Sequence, residues 1–249
     1  MERNMDRTIE VRSLPWGFWA TIAYTLLIII LFLLTELAVT VGLYATAEIL
    51  FPGKDMGLSG SGGLFLGIST CVTAPVTIGF VLFLAKIRRN ISIKEYLCFF
   101  NPSKKQYLKW TLVILSLAFC SDAITLLLGK PIVTEFMLEA YESAGSRALL
   151  WFALLVASPL SEEIVFRGFF FKGIEASPMG PTGAIFFSSL GWAALHLQYD
   201  LYGMATIFAG GLAFGIARFK TGSIFIPIMM HSIANFIATL ETAIYSGAM

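Results

Sequence analysis

Long apolar runs alternate with short polar segments along this chain of 249 residues. A bilayer core is crossed by a helix of about 20 apolar residues. Backbone groups in lipid are satisfied only in helices or closed barrels, and these runs are too long and too uniformly apolar for barrel strands. The pattern predicts an all-α, polytopic transmembrane bundle of seven or eight helices. The predicted spans are about 16–47, 64–85, 108–129, 148–171, 183–197, 204–217 and 224–245.

Composition supports this fold class. Hydrophobic residues make up 57% of the chain and charged residues 13%, about half of the ~25% that is usual for soluble proteins. The net charge of +1 gives no sign of a nucleic-acid partner. The three cysteines are widely spaced and form no CxxC, which speaks against a disulfide framework or a thiolate metal site. We expect one transmembrane domain, 1–249, with an unrecognised N-terminal part, 1–147.

The basic residues predict the orientation. They concentrate before the first run, in the connector after the second, and after the fourth and sixth. By the positive-inside rule the N-terminus is cytoplasmic. Within the basic connector, Ile91 to Phe100 is predicted to be a short amphipathic helix that lies in the interface. The connector is expected to meet membrane lipids or an acidic substrate tail.

Two adjacent carboxylates and a guanidinium interrupt the fourth run, and ionisable groups at that depth are expensive. On a helix, Glu163 and Arg167 are i and i+4, within reach of an ion pair, while Glu162 points about 100° away. This arrangement separates a structural carboxylate from one that is free for proton transfer. The alternative is a buried ion-pair network that only fixes helix register.

The two histidines of the chain both fall in or beside apolar runs. Trp192 and His196 are i and i+4, so the indole can pack beside the imidazole. His231 and Asn235 have the same spacing and face the same way. An interhelical hydrogen bond is the alternative for each histidine taken alone.

These residues assemble in two ways, and both hydrolyse an acyl bond with water. In one, Glu162 and His196 deprotonate a water while His231 and Asn235 stabilise an oxyanion. In the other, Glu162, His196 and His231 bind zinc with an open position for water. The chain lacks HExxH, so the usual zinc-helix signature does not support the second.

The three motifs, in this order, resemble the CPBP family of CAAX proteases and bacteriocin-processing enzymes, which includes the type II CAAX prenyl endopeptidases. The resemblance covers about 149–236, and Trp192 stands where the family more often has Phe. The motifs are Glu-Glu-x-x-x-Arg at 162–167, aromatic-x-x-x-His at 192–196, His-x-x-x-Asn at 231–235, and the stretch Thr221 to Ile224 with Pro227.

The resemblance implies an eight-helix intramembrane endopeptidase whose core is 148–249. It implies that Glu162 and His196 activate water, that Glu163 and Arg167 support the glutamate helix, and that His231 and Asn235 form the oxyanion side. Zinc remains the possible cofactor. The implied substrate is a membrane-associated or prenylated peptide, and the implied location is a bacterial cytoplasmic membrane.

Two other functions fit the same residues. Intramembrane Glu and His residues also serve ion- or proton-coupled transporters, although the inverted halves that favour a transporter are not visible. A non-catalytic scaffold or immunity protein could keep the fold and the motifs. Simple threading places Glu162 near mid-span, His196 toward the outer end and His231 toward the inner end. A common pocket therefore requires offset or short helices.

Overall fold

Helices are the regular structure of the part of the chain that the computed structural model describes, residues 14–50, 52 and 62–247. The polar start of the chain, with Arg3, Arg7 and Arg12, and most of the segment between the first two predicted spans lie outside these residues. The helices are α1 (Phe18–Leu50), α2 (Gly63–Ile87), α3 (Ile93–Leu97), α4 (Lys104–Leu127), α5 (Glu135–Glu142), α6 (Arg147–Glu175), α7 (Gly180–Ala193), α8 (Leu201–Thr221) and α9 (Phe225–Tyr245).

The predicted all-α class is confirmed, but the predicted count of seven or eight helices is not. Nine helices lie in the described residues. The additional ones are α3 and α5, which sit in connectors and have five and eight residues, too short to register as spans by hydropathy. Five helices, α1, α2, α4, α6 and α8, are long and apolar enough to cross a membrane. The chain is an integral membrane protein.

Helix α6 lies at the centre of the bundle and packs against α2, α7 and α9. The buried core includes Phe166 and Phe169 of α6, Val81 of α2 and Met230 of α9. By contrast, only Thr21, Thr25 and Ile28 of α1 are buried, as expected for a helix that faces lipid along much of its length. The motif residues of α6 are therefore placed where three other helices converge.

The regular α-helical pattern of α6 is interrupted twice, by π-helical turns at Ala153–Ala157 and Ile164–Phe170. In the first, the Ser158 N–H donates to the Ala153 carbonyl, five residues back. The next carbonyl, of Leu154, would need the N–H of residue 159, which is Pro159 and has none. Asn235 of α9 satisfies this carbonyl instead, with Nδ2 donating at 2.8 Å. A missing donor in one helix is thus replaced by a side chain of another.

Helix α3 packs one face against the protein, because Tyr96 and Leu97 are fully buried, while Lys94 and Glu95 are exposed. The Tyr96 ring stacks on Phe169, with ring centroids 5.4 Å apart. Just after α3, the Cys98 carbonyl accepts a hydrogen bond from the Ile224 N–H at 3.1 Å. The connector therefore covers the turn between α8 and α9, and α9 begins below the surface of the protein.

We predict that Gly173→Ala loosens α1 from α6. A Cβ at residue 173 would lie 1.9 Å from the Thr21 Oγ1, and Thr21 is fully buried. Overpacking of this kind costs about 1–3 kcal/mol, so the thermal unfolding midpoint in detergent should fall. Gly79→Ala on α2 is the matched control, because its Cβ would meet nothing within 4 Å. Equal midpoints for the two variants would show that α1 does not pack as described.

Candidate active site

A fully buried ion pair forms the centre of the site. Arg167 Nη1 donates to Glu163 Oε1 at 3.0 Å, and both side chains are completely shielded from solvent. Arg167 Nη2 donates to the Gly211 carbonyl of α8 at 3.1 Å, and the guanidinium lies 4.7 Å from the Trp192 ring centroid. A Cβ at residue 211 would lie 3.0 Å from Arg167 Nη2, so glycine permits this approach. The pair predicted from the i, i+4 spacing is present.

His231 is the second partner of the same carboxylate. Its Nδ1 lies 2.9 Å from Glu163 Oε1. Because a carboxylate oxygen only accepts, Nδ1 carries the proton of this bond. The other ring nitrogen, Nε2, is 4.0 Å from Glu162 Oε2. Glu163 therefore orients His231 so that Nε2 faces the second glutamate.

Glu162 is the less buried of the two carboxylates, with 29% of its side chain exposed. It is not without partners. Ser158 Oγ donates to Oε1 and Trp192 Nε1 donates to Oε2. Each oxygen of the carboxylate thus accepts one hydrogen bond, and the side chain remains partly exposed. Glu162 is thus held in place, rather than free as the sequence suggested.

His196 lies three residues beyond the end of α7, in the turn before α8. Its Nδ1 is 2.9 Å from the Trp192 carbonyl, an acceptor only, so Nδ1 carries a proton, and in the neutral ring Nε2 carries the lone pair. The Trp192 ring contacts both histidines, with centroids 5.1 Å from His196 and 5.0 Å from His231. Trp192 therefore joins Glu162 and the two imidazoles in one cluster.

The three residues that simple threading places at different depths lie in one cluster. Trp192 donates to Glu162 and contacts both imidazoles. Helix α7, which leads to His196, is short: it has 14 residues, about 21 Å of rise.

The turn that carries His196 is anchored on both sides. Asp200 Oδ1 accepts from the Gly203 N–H as the N-cap of α8, and its Oδ2 pairs with Lys130 Nζ at 2.9 Å. The hydrogen bond from the Gly203 N–H, and then the one from Lys130, hold the pKa of the Asp200 carboxyl below its usual value. The Tyr199 ring is nearly parallel to that of His196, 6.4 Å away. Burial, and then the Glu162 charge, raise the pKa of Tyr199 to about 12, so its hydroxyl stays protonated.

Asn235 lies one turn beyond His231, on the side of α9 that faces α6. One of its amide N–H groups is used on the Leu154 carbonyl. The structure thus gives Asn235 a role in holding the first π-helical turn.

Sequence reasoning missed two side chains of the site. The contact of Ser158 with Glu162 could have been predicted from the sequence, since Ser158 lies four residues before Glu162 on the same helix. Arg218 of α8 was not: it is 2% exposed and its Nε donates to the Arg167 carbonyl at 3.0 Å. That bond joins α8 to the second π-helical turn, and nothing in the spacing of the sequence indicates it.

The residues of the alternative zinc site, Glu162, His196 and His231, do not fit a zinc centre as they are placed. Donor atoms on a tetrahedral zinc, with bonds of 2.0–2.1 Å, lie about 3.4 Å apart, whereas His231 Nε2 and Glu162 Oε2 are 4.0 Å apart. The same Glu162 oxygen already accepts from Trp192. In the described residues no group of three or more His, Cys, Asp or Glu side chains is arranged to hold a metal ion.

A comparison with protein-family models bears on this cluster. Residues 144–237 match the model of the type II CAAX prenyl endopeptidase Rce1-like family. The family resemblance seen in the sequence is confirmed over this segment. The match includes every side chain of the glutamate–histidine cluster, and it describes endopeptidases, so it supports a peptide-bond hydrolase in general.

One curated protein is similar to part of the chain. It is an uncharacterized 24.3 kDa protein of Escherichia coli, 29% identical over 115 residues, which are 45% of this chain and 52% of that protein. The chain therefore spans about half the length of the curated relative it matches. No solved structure matches the chain.

We predict that Arg167→Met lowers the free energy of unfolding by about 3–5 kcal/mol, because it leaves the buried Glu163 carboxylate without its cation. The double variant Glu163→Gln/Arg167→Met should recover part of this loss. The measurement is chemical or thermal unfolding in detergent. Lys172→Met is the control on the same helix, because its pair with Glu175 at 3.5 Å is partly exposed and contributes about 0–1 kcal/mol. Equal losses for Arg167→Met and Lys172→Met would contradict the role given to the buried pair.

Proposed function

We propose that this protein is an intramembrane endopeptidase that hydrolyses a peptide bond with water activated by Glu162 and His196. The observation that carries the proposal is the placement of a partly exposed carboxylate beside two imidazoles inside an apolar bundle. The fixed charges behind it, Glu163 and Arg167, are of no direct use to hydrolysis but hold the cluster in register. The match to the endopeptidase family supports the same reaction class.

The geometry supports different roles for the two sets of residues: water activation by Glu162 and His196, and oxyanion stabilisation by His231. Glu162 keeps one open face, and His196 presents the lone pair of Nε2, so together they can hold a water and take its proton as the oxygen attacks the scissile carbonyl. His231, when doubly protonated, offers Nε2–H to the developing oxyanion. The proton taken from water then passes to the leaving amine. No metal is assigned a step.

The substrate class follows from the location of the cluster and from the family. The cluster lies inside a bundle of membrane-length helices, which favours a membrane-associated peptide, and the family name points to prenylated peptides as the first substrates to try. The protein is proposed to act in a bacterial cytoplasmic membrane with a cytoplasmic N-terminus, as the distribution of basic residues predicts.

We predict that Glu162→Gln and His196→Gln each reduce peptide cleavage in proteoliposomes by about 10²–10⁴-fold, because each removes a proton acceptor. Glu175→Gln, at the end of the same helix, is the control and should cleave at the wild-type rate. Thermal unfolding must show that all three variants fold.

If both site variants cleaved as fast as the wild type, the cluster would not be a hydrolytic site and a scaffold or transport role would remain. Loss of cleavage on chelation, with recovery on adding zinc, would instead assign the site a metal.

We predict that Ser158→Ala lowers kcat by about ten-fold or more, since a hydrogen bond to a charged group contributes about 1.5–3 kcal/mol. Ser158→Thr keeps the hydroxyl and should recover most of the rate. Ser161→Ala is the matched control, because Ser161 Oγ donates to the Ser158 carbonyl rather than to a glutamate. A Ser158→Ala enzyme with unchanged kcat would show that this bond does not position Glu162.

A further inference from the structure

The connector between α2 and α4 carries an unusual concentration of positive charge. Between residues 86 and 109 there are seven basic side chains and one carboxylate. The carboxylate, Glu95, is occupied by the N-cap of α3, where it accepts from the Ser92 N–H and Oγ. Six of the seven cations are exposed, and none of the seven forms an ion pair with a carboxylate in the described part of the chain. The seven are Lys86, Arg88, Arg89, Lys94, Lys104, Lys105 and Lys109.

These cations lie at one end of two helices of membrane-spanning length, where lipid headgroups are expected. They run from Lys86, in the last turn of α2, to Lys109, in the second turn of α4. The Lys94 and Lys109 ammonium groups lie 5.4 Å and 5.5 Å from the rings of Phe100 and Trp110. Trp and Tyr are enriched at the boundary between hydrocarbon and water. A cluster of four to eight basic residues beside a span is typical of a surface for anionic lipids.

The same connector is packed on both elements that carry the candidate active site. On α6, Tyr96 stacks on Phe169, and Leu97 Cδ2 is 3.2 Å from the position that a Cβ of Gly168 would take. Gly168 is next to Arg167, the cation of the buried pair. On the other side, Cys98 accepts from the Ile224 N–H at the start of α9.

We propose that anionic phospholipid headgroups bind the basic connector and thereby hold α3 against α6 and the start of α9. The bound lipids neutralise the mutual repulsion of the exposed cations, which otherwise favours separation of the connector from the bundle. Because α9 carries His231, the order of the site then depends on the headgroup charge of the surrounding leaflet. The lipid-binding surface stands independently of the proposed function, and only its effect on cleavage rests on that function.

The test uses the full chain in nanodiscs of phosphatidylcholine alone or of phosphatidylcholine with phosphatidylglycerol. Native mass spectrometry of protein released from mixed discs counts the lipids retained, and hydrogen exchange follows peptides that contain the Ile224 amide. The test variant is Lys94→Gln/Lys104→Gln/Lys105→Gln. The control is Arg147→Gln, at the start of α6.

Wild type and Arg147→Gln should retain phosphatidylglycerol in preference to phosphatidylcholine, and the Ile224 amide should exchange more slowly in the anionic discs. The triple variant should lose preference by about five-fold for each charge removed and should exchange equally fast in both discs. Equal retention of the two lipids by wild type would overturn the proposal. So would a soluble polyglutamate peptide that binds the connector while phosphatidylglycerol does not, since the surface would then recognise an acidic substrate tail.

Cleavage in the two kinds of disc separates this proposal from the proposed function. Faster cleavage in anionic discs by wild type, but not by the triple variant, is expected. Absence of cleavage in every lipid would count against the endopeptidase, while lipid retention and exchange would still decide the role of the connector. Retention of phosphatidylglycerol without any change in Ile224 exchange would overturn the proposed link to α9.

Discussion

The buried Glu163 carboxylate is the interaction on which the rest of the site depends. One of its oxygens is shared by the Arg167 guanidinium and by His231 Nδ1. Burying a charge in an apolar bundle is costly unless it is paired, so the three side chains must occupy one arrangement. That arrangement fixes the relative register of α6 and α9. It also places Arg167 Nη2 within hydrogen-bond distance of the Gly211 carbonyl of α8. Three helices are therefore held together by one carboxylate and its partners.

The same constraint explains why two neighbouring glutamates behave differently. Glu163 is fully buried and its Oε1 binds Arg167 and His231. Glu162 is partly exposed, beside Trp192 and near His196. A π-helical turn lies on either side of the two glutamates, and π turns inside α-helices commonly occur at functional sites. Each turn is supported from another helix, the first by Asn235 on the Leu154 carbonyl and the second by Arg218 on the Arg167 carbonyl.

Much of this was readable from the sequence because it depends on local periodicity. The apolar runs located all the long helices, and i, i+4 spacing identified the Glu163–Arg167 pair and the contact between Trp192 and His196. What the sequence did not reveal depends on tertiary contacts. The burial of Tyr96 and Leu97 requires a neighbour for α3, and the position of His196 beyond a short α7 requires knowledge of where the helix ends. The shared oxygen of Glu163 joins residues 68 positions apart, which no local pattern encodes.

The chain has only two histidines, which makes nitrogen NMR of protein labelled with ¹⁵N-histidine the most direct test of this account. The account predicts that Nδ1 carries a proton on both rings, and that Glu163→Gln shifts the ¹⁵N resonances of His231 while those of His196 stay in place. A His231 ring whose Nδ1 is unprotonated, or whose resonances do not respond to Glu163→Gln, would contradict the claim that this carboxylate orders the site.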